Sequence, residues 1–256
     1  MNRPQTSRAL GLCAALLLCA ACGGGVPILM YHSVSSDGSP LTITPATLDQ
    51  QLDYLAHAGF TTVSIGEVID DQEGRGRLPP HPVVLTFDDG YQEVMKTVLP
   101  LLEKRGQHAT FFIVSGFTAH DESHRHQEGA KSHLIVEELK TLRAAGMEIG
   151  SHTVNHVKLT SLPKESLRLE LSKSKLDLEH ALGAPVSVFS YPYTAQRKDI
   201  RAEVQQAGYR AAVTGPHGSS DPYNLQRITI HRGLTVDDLR GLLAESWGTG
   251  YSSGGN

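Results

Sequence analysis

Two short runs of residues carry the groups that could do chemistry in this chain. The first is TFDDG at residues 86–90, where two adjacent carboxylates follow an apolar run typical of a strand. The second is SHTVNH at residues 151–156, where two imidazoles are four residues apart. One carboxylate and two imidazoles form a suitable ligand set for a zinc-like ion that keeps positions open for water and substrate. The remaining carboxylate is then free to act as a base, so these residue types predict metal-assisted hydrolysis.

Both runs resemble the signatures of the polysaccharide deacetylase family, the NodB-like carbohydrate esterases of family 4. The resemblance extends over residues 26–243 and implies Asp88 as the catalytic base, with Asp89, His152 and His156 as metal ligands. Taken separately, the carboxylates could cap the following helix, and the histidines could be surface residues at a chance spacing. The order of the two runs, each behind a strand, favours the catalytic interpretation. The implied ion is divalent, with zinc as the default and cobalt or nickel as alternatives.

A third stretch, SYPY at residues 190–193, matches the family pattern only in part. The usual form is close to RPPYG, so Ser190 stands where the family has an arginine that orients the catalytic aspartate. The resemblance implies that Tyr193 offers its backbone N–H to the oxyanion, and a core aromatic before a turn is the alternative. Arg227 and Arg232 are candidates for the missing orienting charge, although a solvated surface position is the simpler expectation for each.

Two histidines are candidates for the acid that protonates the leaving amine. His32 belongs to MYH at residues 30–32, which resembles the family branch that acts on poly-β-1,6-N-acetylglucosamine exopolysaccharide. That branch also lacks the arginine of the third motif; a structural histidine is the alternative for His32. His231 follows a late strand, where the family places a histidine acid, but its local context matches poorly. The catalytic candidates are therefore Asp88, Tyr193, His32 and His231.

Short apolar runs alternate with amphipathic segments along the body, which predicts parallel strands joined by helices. Polar residues of interest repeatedly follow these runs, and a barrel of parallel strands builds its active site at the C-terminal ends of its strands. The resemblance adds that such a barrel is irregular and incompletely closed. The predicted fold is an α/β irregular (β/α) barrel of about seven parallel strands. The candidate strands are residues 26–30, 61–65, 83–87, 109–114, 147–150, 186–190, 211–214 and 228–230.

The N-terminus has the pattern of a secretory leader. Arg3 and Arg8 precede an apolar run at residues 9–21 that ends in small residues, as in a lipoprotein-type signal peptide. Cys22 is the residue expected to be lipidated, and cleavage to a soluble secreted product is the alternative. The predicted division is residues 1–21 as signal peptide, 22–26 as lipidated cysteine and glycine tether, 27–245 as deacetylase domain and 246–256 as flexible tail.

Charge and cysteine content limit the expected partners. Leaving out the two leader arginines reduces the 23 basic residues to 21, against 27 acidic residues, a formal charge of −6. This excess of acid argues against a nucleic-acid partner. Cys13, Cys19 and Cys22 all lie in the leader or at its end, so the domain has no disulfide framework. We expect an exported monomer, anchored to a bacterial membrane only by its lipid and facing the periplasm or the exterior.

These features predict an exported, metal-dependent enzyme that removes N-acetyl groups from an N-acetylglucosamine polymer. The first candidate substrate is poly-β-1,6-N-acetylglucosamine; peptidoglycan, chitin oligomers and acetylated xylan are the alternatives. A non-catalytic glycan-binding module is the alternative of another class, and the missing arginine of the third motif is the feature that favours it. The histidine-rich stretch at residues 118–132 is expected to form a flexible loop over the rim.

Overall fold

A computed structural model describes residues 25–247 of the chain. The predicted signal peptide, the lipidation site Cys22 and residues 248–256 of the predicted tail lie outside the described residues. Within the described range, no helix combines the length and the apolar character needed to cross a membrane.

Strands and helices alternate along the described part of the chain, as the apolar pattern predicts. The strands are β1 (Ile28–Tyr31), β2 (Thr61–Val63), β3 (Pro82–Phe87), β4 (Thr110–Ile113), β5 (Gln127–Glu128), β6 (Lys131–Ser132), β7 (Glu148–Ser151), β8 (Val188–Ser190), β9 (Ala211–Val213) and β10 (Ile228–Thr229). The α-helices are α1 (Pro45–His57), α2 (Ile65–Gln72), α3 (Leu99–Glu103), α4 (Val136–Ala144), α5 (Lys164–Leu182), α6 (Lys198–Gln206) and α7 (Val236–Trp247).

Eight of the strands form one parallel sheet that curves into an incomplete barrel. Its main path contains seven strands in the order β10-β1-β3-β4-β7-β8-β9, and β2 pairs with the first residues of β3. Beyond β9, the backbone of Leu225 hydrogen-bonds to Ala212 and Thr214, each at 2.9 Å, which brings the chain leading into β10 towards β9. The prediction of an irregular barrel with about seven parallel strands is confirmed.

Alternation along the strands decides which side chains enter the barrel. On β3, Val84 belongs to a small inner apolar core, whereas Val83 and Leu85 pack in the larger core with the helices. Thr86 and Asp88 continue the inner series at the C-terminal end of the strand, and both are buried. The period of two therefore brings Asp88 into the barrel interior.

Helix α2 fills the N-terminal side of this interior and leaves the C-terminal rim to the polar residues. Its buried residues Ile65, Val68 and Ile69 belong to the inner core. Glu148, the first residue of β7, accepts hydrogen bonds from the N–H groups of Ile65 and Gly66, both at 3.0 Å. A carboxylate at a helix N-terminus is stabilised by the helix dipole, so Glu148 fixes α2 across the base of the barrel.

Candidate active site

The two sequence runs meet at the C-terminal edge of the sheet. Asp89 follows β3, and His152 follows β7, with only β4 between the two strands. Nε2 of His152 lies 3.5 Å from Oδ1 of Asp89, and Nε2 of His156 lies 3.4 Å from the same oxygen. The potential ligand atoms of the three residues all lie within 4.8 Å of one another. Over residues 25–247 this is the one group of three or more such side chains close enough to hold a metal ion.

The donor set of this group suits a divalent ion. Nδ1 of His152 lies 2.8 Å from the carbonyl oxygen of Ser190, a contact that favours the proton on Nδ1 and leaves the lone pair of Nε2 free. Nε2 is the atom that points to Asp89. Two imidazole nitrogens and one carboxylate oxygen are the protein ligands of catalytic zinc sites that keep an open position. The three predicted ligands therefore fit a resident metal ion.

Unusual backbone conformations are concentrated around these ligands. Six non-glycine residues of the described chain have a positive φ angle, and five of them border the site. Such conformations cost about 1–3 kcal/mol each and persist only where surrounding contacts enforce them. The site is therefore held in place by the fold around it. The five are Asp89 (75°), Thr153 (70°), His156 (51°), Tyr193 (57°) and Thr194 (55°).

Glu170 on α5 supports the loop that carries the histidines. Its Oε2 accepts hydrogen bonds from the backbone N–H groups of Val154 at 2.9 Å and Asn155 at 3.0 Å. Its Oε1 accepts a hydrogen bond from the Asn155 side-chain amide at 2.6 Å. Within the loop, Oγ1 of Thr153 accepts from the N–H of His156 at 3.0 Å. One carboxylate thus fixes the turn that brings the second imidazole back to the site, a role that no local sequence pattern indicates.

The candidate base Asp88 is paired with a buried arginine. Nη1 and Nη2 of Arg227 donate to the two carboxylate oxygens of Asp88, each at 2.7 Å. The remaining donors reach Oγ1 of Thr86 at 3.0 Å, Oγ of Ser190 at 3.0 Å and the carbonyl oxygen of Thr214 at 2.7 Å. All five N–H groups of the guanidinium are therefore satisfied. Arg227 is only 1% exposed, so this bidentate pair is shielded from solvent.

This pair corrects the sequence-based expectation for Arg227. A solvated surface position is wrong for it, because its guanidinium lies inside the barrel and orients Asp88. Ser190, which stands where the family has its arginine, instead donates a hydrogen bond to Oδ2 of Asp88 at 3.2 Å. The orienting charge missing from the third motif is thus supplied by the residue before β10. Arg232 is exposed as expected and donates to the carbonyl oxygen of Gly38.

Both aspartates are held in their ionised form. Burial raises the pKa of Asp88, but the charge and hydrogen bonds of Arg227 outweigh burial and bring that pKa below its usual range. Burial also raises the pKa of Asp89, and the neighbouring His152 more than offsets the rise. An ionised Asp88 can accept a proton, and an ionised Asp89 can ligate a cation.

Of the two candidate acids, His32 lies with the aspartates. Burial lowers the pKa of its imidazole, and the charges of Asp88 and Asp89 partly offset this effect. Its Nδ1 is buried and has no hydrogen-bond partner among the described residues. His231 is exposed, and its Nδ1 lies 3.0 Å from the carbonyl oxygen of Arg232. The structure thus groups His32 with the site and leaves His231 at the outer surface.

Tyr193 forms an exposed wall beside the ligands. Its ring centroid lies 4.8 Å from that of His156, and the residue is 62% exposed. It belongs to the helical turn Pro192–Thr194 that follows β8 at the rim. The position is not that of a core aromatic, and donation of its backbone N–H to an oxyanion remains a prediction.

The histidine-rich segment has regular structure where the sequence predicted a flexible loop. It contains the β5–β6 hairpin, and Arg125 ties it to α4 through hydrogen bonds to Glu138 and to the carbonyl oxygen of His133, both at 2.7 Å. His133 is buried, and its Nδ1 lies 3.2 Å from the carbonyl oxygen of Asp89. The residue that directly follows the segment therefore contacts the backbone of a candidate ligand.

Loss of the Glu170 carboxylate should weaken metal binding. We expect Glu170→Ala to raise the Kd for zinc by about ten- to a hundredfold, the usual effect of removing a group that orients a ligand. Glu165→Ala, on an exposed position of the same helix, is the matched control. The measurement is competition with a chromogenic chelator, alongside the melting temperature of the metal-free proteins. Equal zinc affinity in the two variants would show that the loop does not depend on Glu170.

Removal of the arginine should leave Asp88 buried without a partner. Arg227→Met should lower the free energy of unfolding at neutral pH by about 3–5 kcal/mol, whereas Arg232→Met should change it little. The pKa of Asp88 is lower in the folded parent than in the unfolded chain. The ion pair therefore stabilises the folded state fully above the pKa that Asp88 has in the unfolded chain, and this stabilisation is lost as the pH falls through the pKa of Asp88 in the folded protein. The deficit of Arg227→Met should therefore shrink in acid. Urea titrations at neutral and acidic pH give the comparison, and a deficit no larger than that of Arg232→Met contradicts the assignment.

The chain resembles known proteins in sequence and in fold. A family model for polysaccharide deacetylase matches residues 75–212. YxkH of Bacillus subtilis is 27% identical over 214 residues, which cover 82% of this chain and 73% of YxkH. The poly-β-1,6-N-acetyl-D-glucosamine N-deacetylase of Staphylococcus aureus strain N315 is 22% identical over 228 residues, 86% of this chain and 76% of that protein.

Two solved structures share the fold over nearly their whole length. The deacetylase PplD of Streptococcus pyogenes, in complex with acetate, superposes with a TM-score of 0.76 at 24% identity and covers 85% of this chain and 97% of its own. IcaB of Ammonifex degensii gives a TM-score of 0.73 at 25% identity and covers 88% of this chain and 98% of its own. The family model spans more than half of the sequence and includes the Asp88–Asp89 run and both histidines. The chain therefore belongs to the polysaccharide deacetylase family.

Proposed function

We propose that this deacetylase removes N-acetyl groups from poly-β-1,6-N-acetylglucosamine with the help of a divalent ion, zinc in the first place. The observation that carries the proposal is the position of Asp88 next to the Asp89, His152 and His156 group. Arg227 keeps Asp88 ionised and fixes its orientation by hydrogen bonding to its carboxylate, and Asp88 is not one of the three potential metal ligands. A base beside a metal-ligand set is the arrangement that metal-assisted hydrolysis of an amide requires.

The residues of the chain divide the reaction among them. A divalent ion held by Asp89, His152 and His156 would polarise the acetamide carbonyl and lower the pKa of a bound water. Asp88 accepts the proton of the attacking water, because its carboxylate is ionised and its orientation is fixed. The N–H of Tyr193 stabilises the oxyanion. The proton that Asp88 has accepted passes to His32, and His32 delivers it to the departing nitrogen. Hydrolysis of the C–N bond then yields acetate and a free amine.

Two features support the β-1,6-linked polymer over other substrates. The Staphylococcus aureus relative is a poly-β-1,6-N-acetyl-D-glucosamine N-deacetylase by name and matches over most of its length. His32 lies with the aspartates, as the resemblance of the MYH segment to that branch implies. The glycan-binding alternative loses its main support, because Arg227 supplies the orienting charge that the third motif lacks.

Export and a lipid anchor on Cys22 belong to the same proposal. The support is the leader pattern that ends at Cys22 and the three glycines that follow it. In a bacterial host, Cys22→Ser should move the protein from the membrane fraction to the soluble exported fraction. Unchanged labelling by a fatty-acid probe in that variant would rule out this anchor.

Substitution of Asp88 alone and of Asp89 alone should affect activity and metal content differently. Asp88→Asn should keep its metal and lose acetate release by about 10²–10⁴-fold, the range for a removed general base. Asp89→Asn should lose metal as well. Elemental analysis and acetate assays on β-1,6-linked, β-1,4-linked and peptidoglycan-derived oligomers make the test. Equal metal loss in both variants contradicts the division of roles, and equal turnover of chitin oligomers contradicts the substrate.

The two candidate acids can be separated in the same assay. His32→Ala should lower kcat by about 10²–10⁴-fold with metal content intact, because the leaving amine then lacks its proton donor. His231→Ala serves as the matched histidine control and should lose far less. A larger loss of kcat in His231→Ala than in His32→Ala would assign the role of acid to His231, as the family resemblance implies.

A further inference from the structure

A groove of about 590 Å³ opens on the rim beside the metal-ligand group. One wall is the loop at residues 35–37 after β1, and the other is the β5–β6 hairpin with Glu128 and Lys131. Tyr91 and Glu93 complete its lining. The volume lies within the range of about 300–1,000 Å³ that is typical of small-ligand sites.

Tyr91 connects this groove to the reaction centre. It lies two residues after Asp89 and lines the groove, and its ring centroid lies 5.1 Å from that of His133, whose Nδ1 lies 3.2 Å from the carbonyl oxygen of Asp89. Oε2 of Glu128 on the hairpin lies 3.5 Å from Nε2 of the same His133, so the hairpin wall borders the backbone of Asp89. A polymer whose reacting unit lies at Asp89 has to continue along the rim. The groove is therefore in position to receive the next sugar unit.

The groove already surrounds a primary ammonium group. Nζ of Lys131 lies 3.1 Å from Oδ2 of Asp37 and 4.3 Å from the ring centroid of Tyr91. A carboxylate combined with an aromatic face is a favourable environment for an organic cation. Glu93 and Glu128 add two further carboxylates, so the lining carries three acidic groups against one basic group. The lining therefore keeps a net negative charge with Lys131 included, and this charge favours a cationic ligand.

We propose that this groove binds the sugar unit next to the reacting one, and that it prefers glucosamine with a protonated amine over N-acetylglucosamine. The proposal rests on the proposed function and specifies its substrate: a polymer that already carries free amines. Its ammonium group would take the position that Lys131 occupies between Asp37 and Tyr91. Lys131 is therefore an internal competitor, and Glu128 attracts the ligand.

The test measures binding without turnover. In an Asp88→Asn background loaded with zinc, calorimetry compares two β-1,6-linked trisaccharides, one fully N-acetylated and one with a single free amine on a terminal unit. We expect the amine-bearing ligand to bind about two- to fivefold tighter, the range for one exposed charge pair. The preference should decline as salt increases, because the charges are accessible to solvent.

Two variants should move this preference in opposite directions. Glu128→Gln removes an attracting charge and should bring the ratio of the two Kd values towards one. Lys131→Gln removes the competing ammonium and should increase the ratio. Glu137→Gln, an exposed carboxylate on α4, is the matched control and should keep the parent ratio.

Equal affinity for the two ligands in the parent overturns the proposal. The proposal is also overturned if the ratio of the two Kd values is the same in Glu128→Gln and Lys131→Gln as in the parent. The amine would then bind outside the groove, for example at the metal. Failure to release acetate from β-1,6-linked oligomers would instead overturn the proposed function. The ratio of Kd values does not depend on turnover, so the two failures can be told apart.

Discussion

A buried carboxylate inside a barrel has to be compensated, and the pair of Asp88 and Arg227 meets this requirement. Removing a charge from water costs several kcal/mol unless a partner and further hydrogen bonds replace the water. Arg227 supplies two of these bonds to Asp88, and Ser190 supplies a third. The remaining donors of Arg227 bind one residue in β3, one in β8 and the residue directly after β9. One ion pair thus orients the base and ties together strands from both ends of the sheet.

The same constraint explains how two neighbouring carboxylates acquire different roles. Asp88 continues the inward series of β3 and meets the arginine. Asp89 follows with a φ of 75°, a left-handed turn that directs its carboxylate along the rim to the imidazoles. Separate partners keep both groups ionised although they are adjacent in sequence. The contacts of Glu170 and His133 then hold the surrounding loops in the required conformation.

Much of the fold, and the meeting of the DD and HxxxH runs at one edge of the sheet, could be predicted from the sequence, because both depend on local patterns. Apolar runs with polar residues at their ends indicate parallel strands, and the DD and HxxxH runs stand directly behind two of them. Arg227 could not be assigned in this way, since it pairs with a residue 139 positions away. Its one local signal is its place immediately before a predicted strand, where the alternation of side chains can turn a residue inward. Glu170 resembles any other acidic residue on a polar helix, so only the folded loop reveals its role.

The coupling free energy between Asp88 and Arg227 measures whether the arginine holds the base in place. A double-mutant cycle of Asp88→Asn and Arg227→Met, followed by urea unfolding of the metal-free protein, isolates the pair from the ion. We expect a favourable coupling free energy at the upper end of the range of about 0.5–3 kcal/mol for groups in direct contact. The double variant should accordingly be more stable than the two single losses together imply. Losses that add within about 0.5 kcal/mol would mean that Arg227 does not hold Asp88, and that the base is oriented in another way.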